Sequence, residues 1–535
     1  MAAFLQRPES YRGLAQAYGL QPGSEVAKVE THAAQVFLCG DLAVKIKRPV
    51  RYSFLDFSSA PKRRAALARE LALNSRGAEE LYLGLAAITG AAEGPLAFQP
   101  LRAGQKDPPG ACDWALVMRC FDNDLRLDRL CERGGLDDKL LRQVVDQIYR
   151  YHQTAEVRFA PFGGASALEK IIQQNQSDFA QQPKLFDGQR IAALCARQND
   201  SLAAAAARLD QRRTQGWVRR GHGDLHLGNL VIWRDQPVLF DAIEFDEEIG
   251  TEDLLYDLSF LLMDLIYRGR PALANQALNR YLSRQAGYDG LAALPLMLSL
   301  RASIRAKVAG FTAAQLDQEA QPRGPGAVER RKALDYLAQA ERFLPPSGAA
   351  PAPRVRLLAV GGLSGSGKSS LAGMLAPELG EQQIGAVHLR SDMIRKRLMG
   401  VAPEAPLGPQ AYDASVSRQV YATLFQEAEE ALAAGFPVIA DAVWARPAER
   451  DELARLAARV GAGFTGIWLT APQPELLNRV RARRDDASDA GPAVVRQQAD
   501  YDLGTITWRR LDSRQAPDAL RAAARKLLTC ASRID

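Results

Sequence analysis

Two short segments of this chain carry residue types and spacings that suit phosphate chemistry: HGDLHLGN at His222–Asn229 and GLSGSGKS at Gly362–Ser369. In the first, Asp224 stands five residues before Asn229. Moving a phosphoryl group onto a hydroxyl requires a carboxylate beside the acceptor and an oxygen ligand for Mg²⁺ nearby, and one tight loop supplies both. A strand-like PVLF then leads to Asp241, twelve residues after Asn229, where a second Mg²⁺ ligand is expected. The second segment fits G-x-x-x-x-G-K-[ST] in full, with an apolar strand before it and a helical run after it. Its glycines let backbone N–H groups approach phosphates, and a helix N-terminus favours negative charge. Gly362, Ser364, Gly365, Ser366, Gly367, Lys368, Ser369 and Ser370 are the candidate nucleotide-binding residues. Lys368 is expected to reach the β- and γ-phosphates, and Ser369 to bind Mg²⁺.

The elements that must position these residues follow from patterning. Gln35–Cys39 and Leu42–Lys47 flank a Gly40-Asp41 turn and read as a hairpin; Arg63–Glu80 is helical and Trp114–Met118 a strand. From Asp137 the text is mostly helical, apart from strands near Asn229–Trp233 and Pro237–Phe240. A small sheet lobe followed by a large helical lobe, an α+β arrangement, is expected there. After the Pro/Ala-rich stretch 344–354, strands at Arg356–Val360, Ala386–Leu389, Val438–Ala440 and Phe464–Leu469 alternate with helices. That rhythm predicts an α/β fold with a parallel sheet. The expected division is 1–343, a linker at 344–354, and 355–535, since Pro, Gly and Ala in the linker cannot pack a core.

Bulk properties narrow the classes. A hydrophobic content of 47% and a charged content of 24% are those of a globular protein. The net charge of +6, from 68 basic and 62 acidic residues, is too mild to argue for a nucleic-acid partner, though it suits anionic ligands such as ATP. The six cysteines form no C-x-x-C pair, which argues against a structural zinc site and for a reducing, cytoplasmic compartment. The apolar run Leu254–Ile266 is interrupted by Asp257 and Asp264 and is too short to span a bilayer, so it reads as a buried helix.

The HGDLHxGN segment followed by a strand ending in Asp resembles the aminoglycoside phosphotransferase and choline kinase family, over roughly residues 25–310. The resemblance implies a protein-kinase-like fold, with Asp224 catalytic and Asn229 and Asp241 as Mg²⁺ ligands. It implies that Lys45 in LAVK holds the α- and β-phosphates with Glu70 as its partner, although Lys47 lies on the same strand face and competes for that role. Met118–Phe121 corresponds to the hinge beside adenine, and Asp257 in YDLSFL to an aspartate that braces the catalytic loop. His222 reads as structural, and His226 as scaffold or substrate contact. Two departures stand out: Gly223 occupies the place of the protein-kinase arginine, and no G-x-G-x-x-G precedes Lys45, the corresponding turn lying near Thr31–Ala34. The first implies no phosphorylated activation loop to hold, and the second leans away from protein substrates.

The second segment and most of residues 355–535 resemble small P-loop kinases such as the gluconate, shikimate and polynucleotide kinases. The resemblance implies an acceptor-binding or base role for Asp392, with a helix N-cap, alongside Ser391, as the alternative. It implies substrate contact by Arg395 and a Mg²⁺ role for Asp441 at a strand end. LLNRVRARRDDASDA carries Arg479, Arg481, Arg483 and Arg484, of which a lid would use Arg479 and Arg483, one helical turn apart, on the transferring phosphoryl group. Together these expectations describe an ATP- and Mg²⁺-dependent phosphotransferase with two sites for small hydroxyl compounds. A kinase regulated by a non-catalytic ATP-binding partner and a kinase of nucleic-acid ends are the alternatives. The acidic run Glu244, Asp246, Glu247 and Glu248 is either a cationic-acceptor site or a solvated loop.

Overall fold

The computed structural model describes residues 1–30, 33–52, 55–90, 95–102, 105–319, 325–345, 355–380, 384–483 and 486–531. Thr31, Arg484 and the linker from residue 346 to 354 lie outside the described residues. Two compact units are present, one of Met1–Ala167 with Arg212–Leu261 and one of Leu168–Gln211 with Leu262–Asp535. Residues 262–343 therefore group with the P-loop region rather than with the first catalytic loop.

The first unit begins with α1 (Ala2–Leu5) and α2 (Arg12–Ala17), followed by β1 (Ala27–Glu30), β2 (Ala34–Cys39) and β3 (Leu42–Lys47). Short strands β4 (Arg51–Tyr52) and β5 (Leu55–Asp56) pair with each other before α3 (Ala60–Ala78). Then come β6 (Tyr82–Thr89), β7 (Ala97–Pro100) and β8 (Ala111–Arg119), which complete an antiparallel sheet of order β1-β2-β3-β8-β6-β7. The β2–β3 register sets Val36 opposite Lys45 and Cys39 opposite Leu42. Gly40 turns the hairpin at φ +62°, and a Cβ there would come within 2.5 Å of Gln21 O, so the turn requires glycine. Strand alternation sends Val44 and Ile46 into a core with Phe37, Ala86 and Val117. Lys45 and Lys47 take the other face, where α3 packs and where Leu67 meets Leu116 of β8.

Helices α4 (Leu127–Glu132), α5 (Asp138–Gln153), α6 (Gly164–Ala180) and α7 (Gly188–Thr214) follow. The catalytic-loop segment is framed by β9 (Val218–Arg220) before it and by the hairpin of β10 (Leu230–Trp233) and β11 (Gln236–Leu239) after it. Arg234 and Asp235 both have positive φ in that hairpin turn, as a type I′ turn requires. β12 (Thr251–Asp253) pairs with β9, and a bidentate Arg212–Asp253 bridge of 2.7 and 2.9 Å buries the charges beneath the pair. The apolar run forms α8 (Leu254–Tyr267), buried almost throughout.

The second unit takes in most of α6 and α7 together with α9 (Pro271–Gln285), α10 (Leu294–Glu319) and α11 (Pro325–Arg342). The P-loop region follows as β13 (Arg356–Gly361), α12 (Lys368–Leu375), β14 (Val387–Arg390), α13 (Ser391–Leu398), α14 (Ala414–Ala433), β15 (Val438–Asp441) and α15 (Pro447–Arg459). It ends with β16 (Gly463–Thr470), α16 (Gln473–Ala482), α17 (Pro492–Ala499), β17 (Arg509–Asp512) and α18 (Pro517–Ala531). The five strands are parallel in the order β14-β15-β13-β16-β17. Strand β13 is buried from Leu357 on, the continuous apolar pattern of a sheet covered on both faces. The outer edge of β14 is closed by α9: Asn275 Nδ2 donates to Ile384 O at 2.7 Å and Ala386 O at 2.9 Å, and His388 N donates to Asn279 Oδ1 at 2.7 Å. Among the described residues no helix is long and apolar enough to cross a membrane.

Candidate active sites

In the first unit, Lys45 on β3 and Glu70 on α3 meet at 2.6 Å, and the same ammonium lies 2.8 Å from Asp241 Oδ1. Lys47 makes a second set of bonds, 2.7 Å to Glu70 Oε2 and 2.5 Å to Glu244 Oε1. The result is a chain of alternating charge, Asp241–Lys45–Glu70–Lys47–Glu244, buried at its Glu70, Lys47 and Glu244 members and open to solvent at the Asp241 end. Burial works to lower the Lys45 ammonium, but Asp241 and Glu70 hold it well above its usual pKa. Burial works to raise Glu70, and the two lysines outweigh it and keep the carboxyl low. Glu244 behaves oppositely: burial first, then the nearby Glu70 charge, pushes it above the usual carboxylate range.

The His222–Asn229 loop is held by Asp257 on α8. Its carboxylate accepts from His222 N at 2.7 Å and Gly223 N at 2.9 Å, and His152 Nε2 lies 3.2 Å away. His222 is buried and contacts Phe240 O at 3.0 Å, which ties the loop to the end of β11. Asn229 Nδ2 donates to Asp224 Oδ2 at 2.8 Å, so the amide is oriented by the carboxylate beside it. His226 accepts from Gly228 N at 3.0 Å and stands 3.4 Å from Asp224 Oδ2, joining the scaffold and the acidic centre. Asp241 has φ +62°, a left-handed turn that ends the strand, and the Lys45 charge first of all keeps its carboxyl low. Phe121 packs on Phe240 at 5.0 Å, beside Met118, which gives the expected hinge an aromatic wall. Asp241 and Asn229 offer hard oxygen donors on adjoining turns, a donor set that fits Mg²⁺.

In the second unit, the P-loop joins β13 to α12 with Gly362, Gly365 and Gly367 at φ +141°, +83° and +87°. A Cβ on Gly362 would lie 2.6 Å from Leu469 O, and one on Gly365 2.7 Å from Leu476 O. Ser364 N donates to Gln498 Oε1 at 2.7 Å, and Lys368 Nζ donates back to Leu363 O at 3.1 Å. Burial lowers the Lys368 ammonium, against the pull of Asp441 and Asp392. Asp441, at the end of β15, is 3.2 Å from His388 Nε2 and 3.7 Å from Arg390 Nε. Burial works to raise Asp441, but His388 and Arg390 hold it low, so it stays anionic beside the loop. Asp392 differs: burial raises its carboxyl. The Ser369 hydroxyl and the Asp441 carboxylate again form a donor set that fits Mg²⁺.

A cavity of about 1230 Å³ gathers Ser364, Gly365, Gly367, Lys368, Ser369 and Ser370 with Asp392, Asp441, Arg479 and Arg483. Gly362 and Ser366 are not in its wall: Gly362 serves the backbone packing against β16, and the Ser366 hydroxyl is buried. The N-cap of α13 is Arg390, with no side-chain capping bond, so the alternative reading of Asp392 or Ser391 as the helix cap does not hold. Arg479 is held by Glu475 at 2.8 Å and Ser513 O at 2.8 Å, and Arg483 caps the end of α16. Of the acidic run, Glu244 is paired inside the first site, which overturns both the solvated-loop and cationic-acceptor readings for that residue. Sequence reasoning missed Arg390, His388, Arg418, Arg446 and Gln498, which come together only through the fold; a basic residue in HLRSD was the one local signal.

Residues 103–294 match the model of the phosphotransferase enzyme family, and residues 357–501 match an AAA domain model. The chain thus joins an aminoglycoside-phosphotransferase-like region, of kinase-like fold, to a P-loop kinase-like region, and is an ATP-dependent phosphotransferase. An uncharacterised protein of Mycobacterium tuberculosis (strain ATCC 25618 / H37Rv) is 29% identical over 487 residues, 89% of this chain and 90% of its own length. A choline/ethanolamine kinase family protein from Mesorhizobium loti aligns at 13% identity over 59% of this chain and 87% of its own, with a TM-score of 0.35. The APS kinase of Mycobacterium tuberculosis in complex with AMPPNP and APS aligns at 23% identity over 33% of this chain and 99% of its own, with a TM-score of 0.26.

Proposed function

We propose that the chain is a bifunctional kinase with two separate ATP sites, each transferring a phosphoryl group to a small hydroxyl-bearing molecule. The observation that carries the reading is that each site assembles its own lysine and its own carboxylates: Lys45 with Glu70 and Asp241, and Lys368 facing Asp441 and Asp392. In the first site Asp224 receives the acceptor proton, and Asn229 and Asp241 would hold Mg²⁺. In the second, Asp392 receives the proton, Ser369 and Asp441 would hold Mg²⁺, and Arg479 and Arg483 face the transferred group. The ion, when bound, supplies charge neutralisation on the β- and γ-phosphates. Cys39, Cys112, Cys120 and Cys195 are free thiols, which supports a reducing, cytoplasmic setting.

The test is to substitute Asp224→Ala and Lys368→Ala separately and to follow ADP release across sugars, amino alcohols, aminoglycosides and nucleosides. The reading expects each variant to lose one substrate set and keep the other. Loss of all turnover in one variant, with both nucleotides still bound, rules it out.

A further inference from the structure

The outermost strand of a sheet leaves one row of backbone N–H and C=O groups without a partner strand. β14 is such a strand in the parallel sheet, and α9, which precedes the linker in sequence but belongs to the same unit, supplies the missing partners. Asn275 and Asn279 stand one helical turn apart and so share a face of α9. Asn279 does what the peptide group of a neighbouring strand would do: its Nδ2 donates to Ala386 O at 3.1 Å, and its Oδ1 accepts from His388 N at 2.7 Å. Asn275 Nδ2 donates to Ile384 O at 2.7 Å and to Ala386 O at 2.9 Å. The helix is tied to its neighbours at two further places. Arg397 of α13 donates to Ser283 O at 3.3 Å, among the last carbonyls of α9, and Arg280 bridges Glu404 at 2.8 and 3.1 Å.

Strand alternation carries this anchorage to the phosphate-binding centre. His388 and Arg390 are two residues apart on one face of β14, and Arg390 is in register with Asp441 of β15. His388 Nε2 is 3.2 Å and Arg390 Nε 3.7 Å from the same oxygen, Asp441 Oδ2. Among the described residues no hydrogen bond is made to Asp441 Oδ1, and Asp441 lines the cavity with Lys368 and Ser369. The His388 side chain is 10% exposed, so the ring has little room to turn away.

Resting on the kinase reading of this domain, in which Asp441 would hold Mg²⁺, we infer that Asn279 and His388 are positioning residues of the second site, acting in series. Asn279 fixes β14 at His388. His388 holds Asp441 by Oδ2 and thereby presents Oδ1 to the cavity. α9 is then a working part of the phosphotransfer centre as well as a cover for the sheet edge.

The experiment uses the full-length chain with Lys45→Met, so that nucleotide binding reports the second site. A non-hydrolysable ATP analogue is titrated once with excess Mg²⁺ and once with EDTA. His388→Leu is expected to weaken binding with Mg²⁺ about tenfold and to leave binding in EDTA within about twofold, the effect of one lost hydrogen bond to a charged group. His388→Gln, whose amide nitrogen reaches the place of imidazole Nε2, is expected to restore most of the loss. Asn279→Ala is expected to weaken binding in the same Mg²⁺-dependent sense. In the nucleotide-free protein it should also move the His388 signals in imidazole nitrogen NMR, which the His388→Gln spectrum assigns. Should Asn279→Ala not fold, Asn279→Gln, which keeps the amide but displaces it by one methylene, is read in its place. Arg280→Ala frees another part of α9 and should change neither the His388 signals nor the Mg²⁺-dependent affinity. Equal losses with Mg²⁺ and in EDTA, no difference between the Leu and Gln variants, or Arg280→Ala matching Asn279→Ala overturns the inference. Asp441→Asn separates the two claims. If it weakens Mg²⁺-dependent binding while the His388 and Asn279 variants do not, the inference falls and the kinase reading stands. If Asp441→Asn itself leaves that binding unchanged, the Mg²⁺ role of Asp441 falls and the inference with it.

Discussion

Lys47 offers the sharpest test of how the first site is built. Its ammonium is 4% exposed and bridges Glu70 and Glu244, while Lys45 bridges Glu70 and Asp241. Substituting Lys47→Met keeps the bulk but leaves Glu244 without its one ion-pair partner among the described residues. Removing one partner of a buried pair costs about 3–5 kcal/mol, against a total stability of about 5–15 kcal/mol for a domain. Native-state hydrogen exchange in β3 should therefore quicken by about a hundredfold to several thousandfold. The deficit depends on pH in a definite sense. Glu244 already titrates above its unfolded value, and without Lys47 it rises further. A carboxyl whose folded pKa is raised contributes a penalty that is absent below the unfolded value of about 4.3 and grows as pH rises toward the folded one. The loss should thus be larger at pH 8 than at pH 5. Pairing the change with Glu244→Gln should recover most of it, because no uncompensated charge remains. Exchange faster by less than about fivefold, or a double variant no better than the single, refutes the reasoning; 1.4 kcal/mol is a factor of about ten.

Asp257→Ala removes a carboxylate that accepts two loop N–H groups, so about 3–6 kcal/mol should be lost, and turnover at the first site should fall with the second unaffected in assays below the melting point. Gly365→Ala should abolish nucleotide binding at the second site by calorimetry, because φ +83° and Leu476 O at 2.7 Å both oppose a Cβ. Gly373→Ala, mid-helix in α12 with nothing within 4 Å of its Cβ position, is the control and should instead stabilise by about 0.5–1 kcal/mol in thermal unfolding. Burial raises Asp392, so the acid limb of kcat/KM at the second site should lie above the ordinary carboxylate value of about 3.9, with activity lost as pH falls through it. Asp392→Asn should remove the activity at every pH.

Much of the arrangement was legible in the sequence because it is carried by local signals. The Gly40-Asp41 turn set the β2–β3 register, and period-two alternation put Lys45 and Lys47 on one face. What alternation could not decide was the division of partners between the two lysines, since that depends on where α3 and the segment after β11 deliver Glu70 and Glu244. The role of Asp257 was legible through the family resemblance alone; its place in a largely apolar helix, shared with Asp264, says only that a buried carboxylate must find donors. Strand β17, with the sequence RRLD, escaped notice because an edge strand with exposed residues carries no apolar period. The arginines of the far cavity wall were equally silent: Arg418 and Arg446 lie on different elements, and only the strand order brings them to one space. The grouping of α9 with the P-loop region was hidden as well, because asparagine amides that close a strand edge leave no periodic trace.

The central claim is that one chain holds two independent ATP sites, and nucleotide stoichiometry tests it most directly. Equilibrium titration with a non-hydrolysable ATP analogue and Mg²⁺ should give two molecules bound per wild-type chain. It should give one for Lys45→Met, one for Lys368→Ala, and none for the double variant. A single molecule bound by the wild type, or the loss of both by either single variant, contradicts the account.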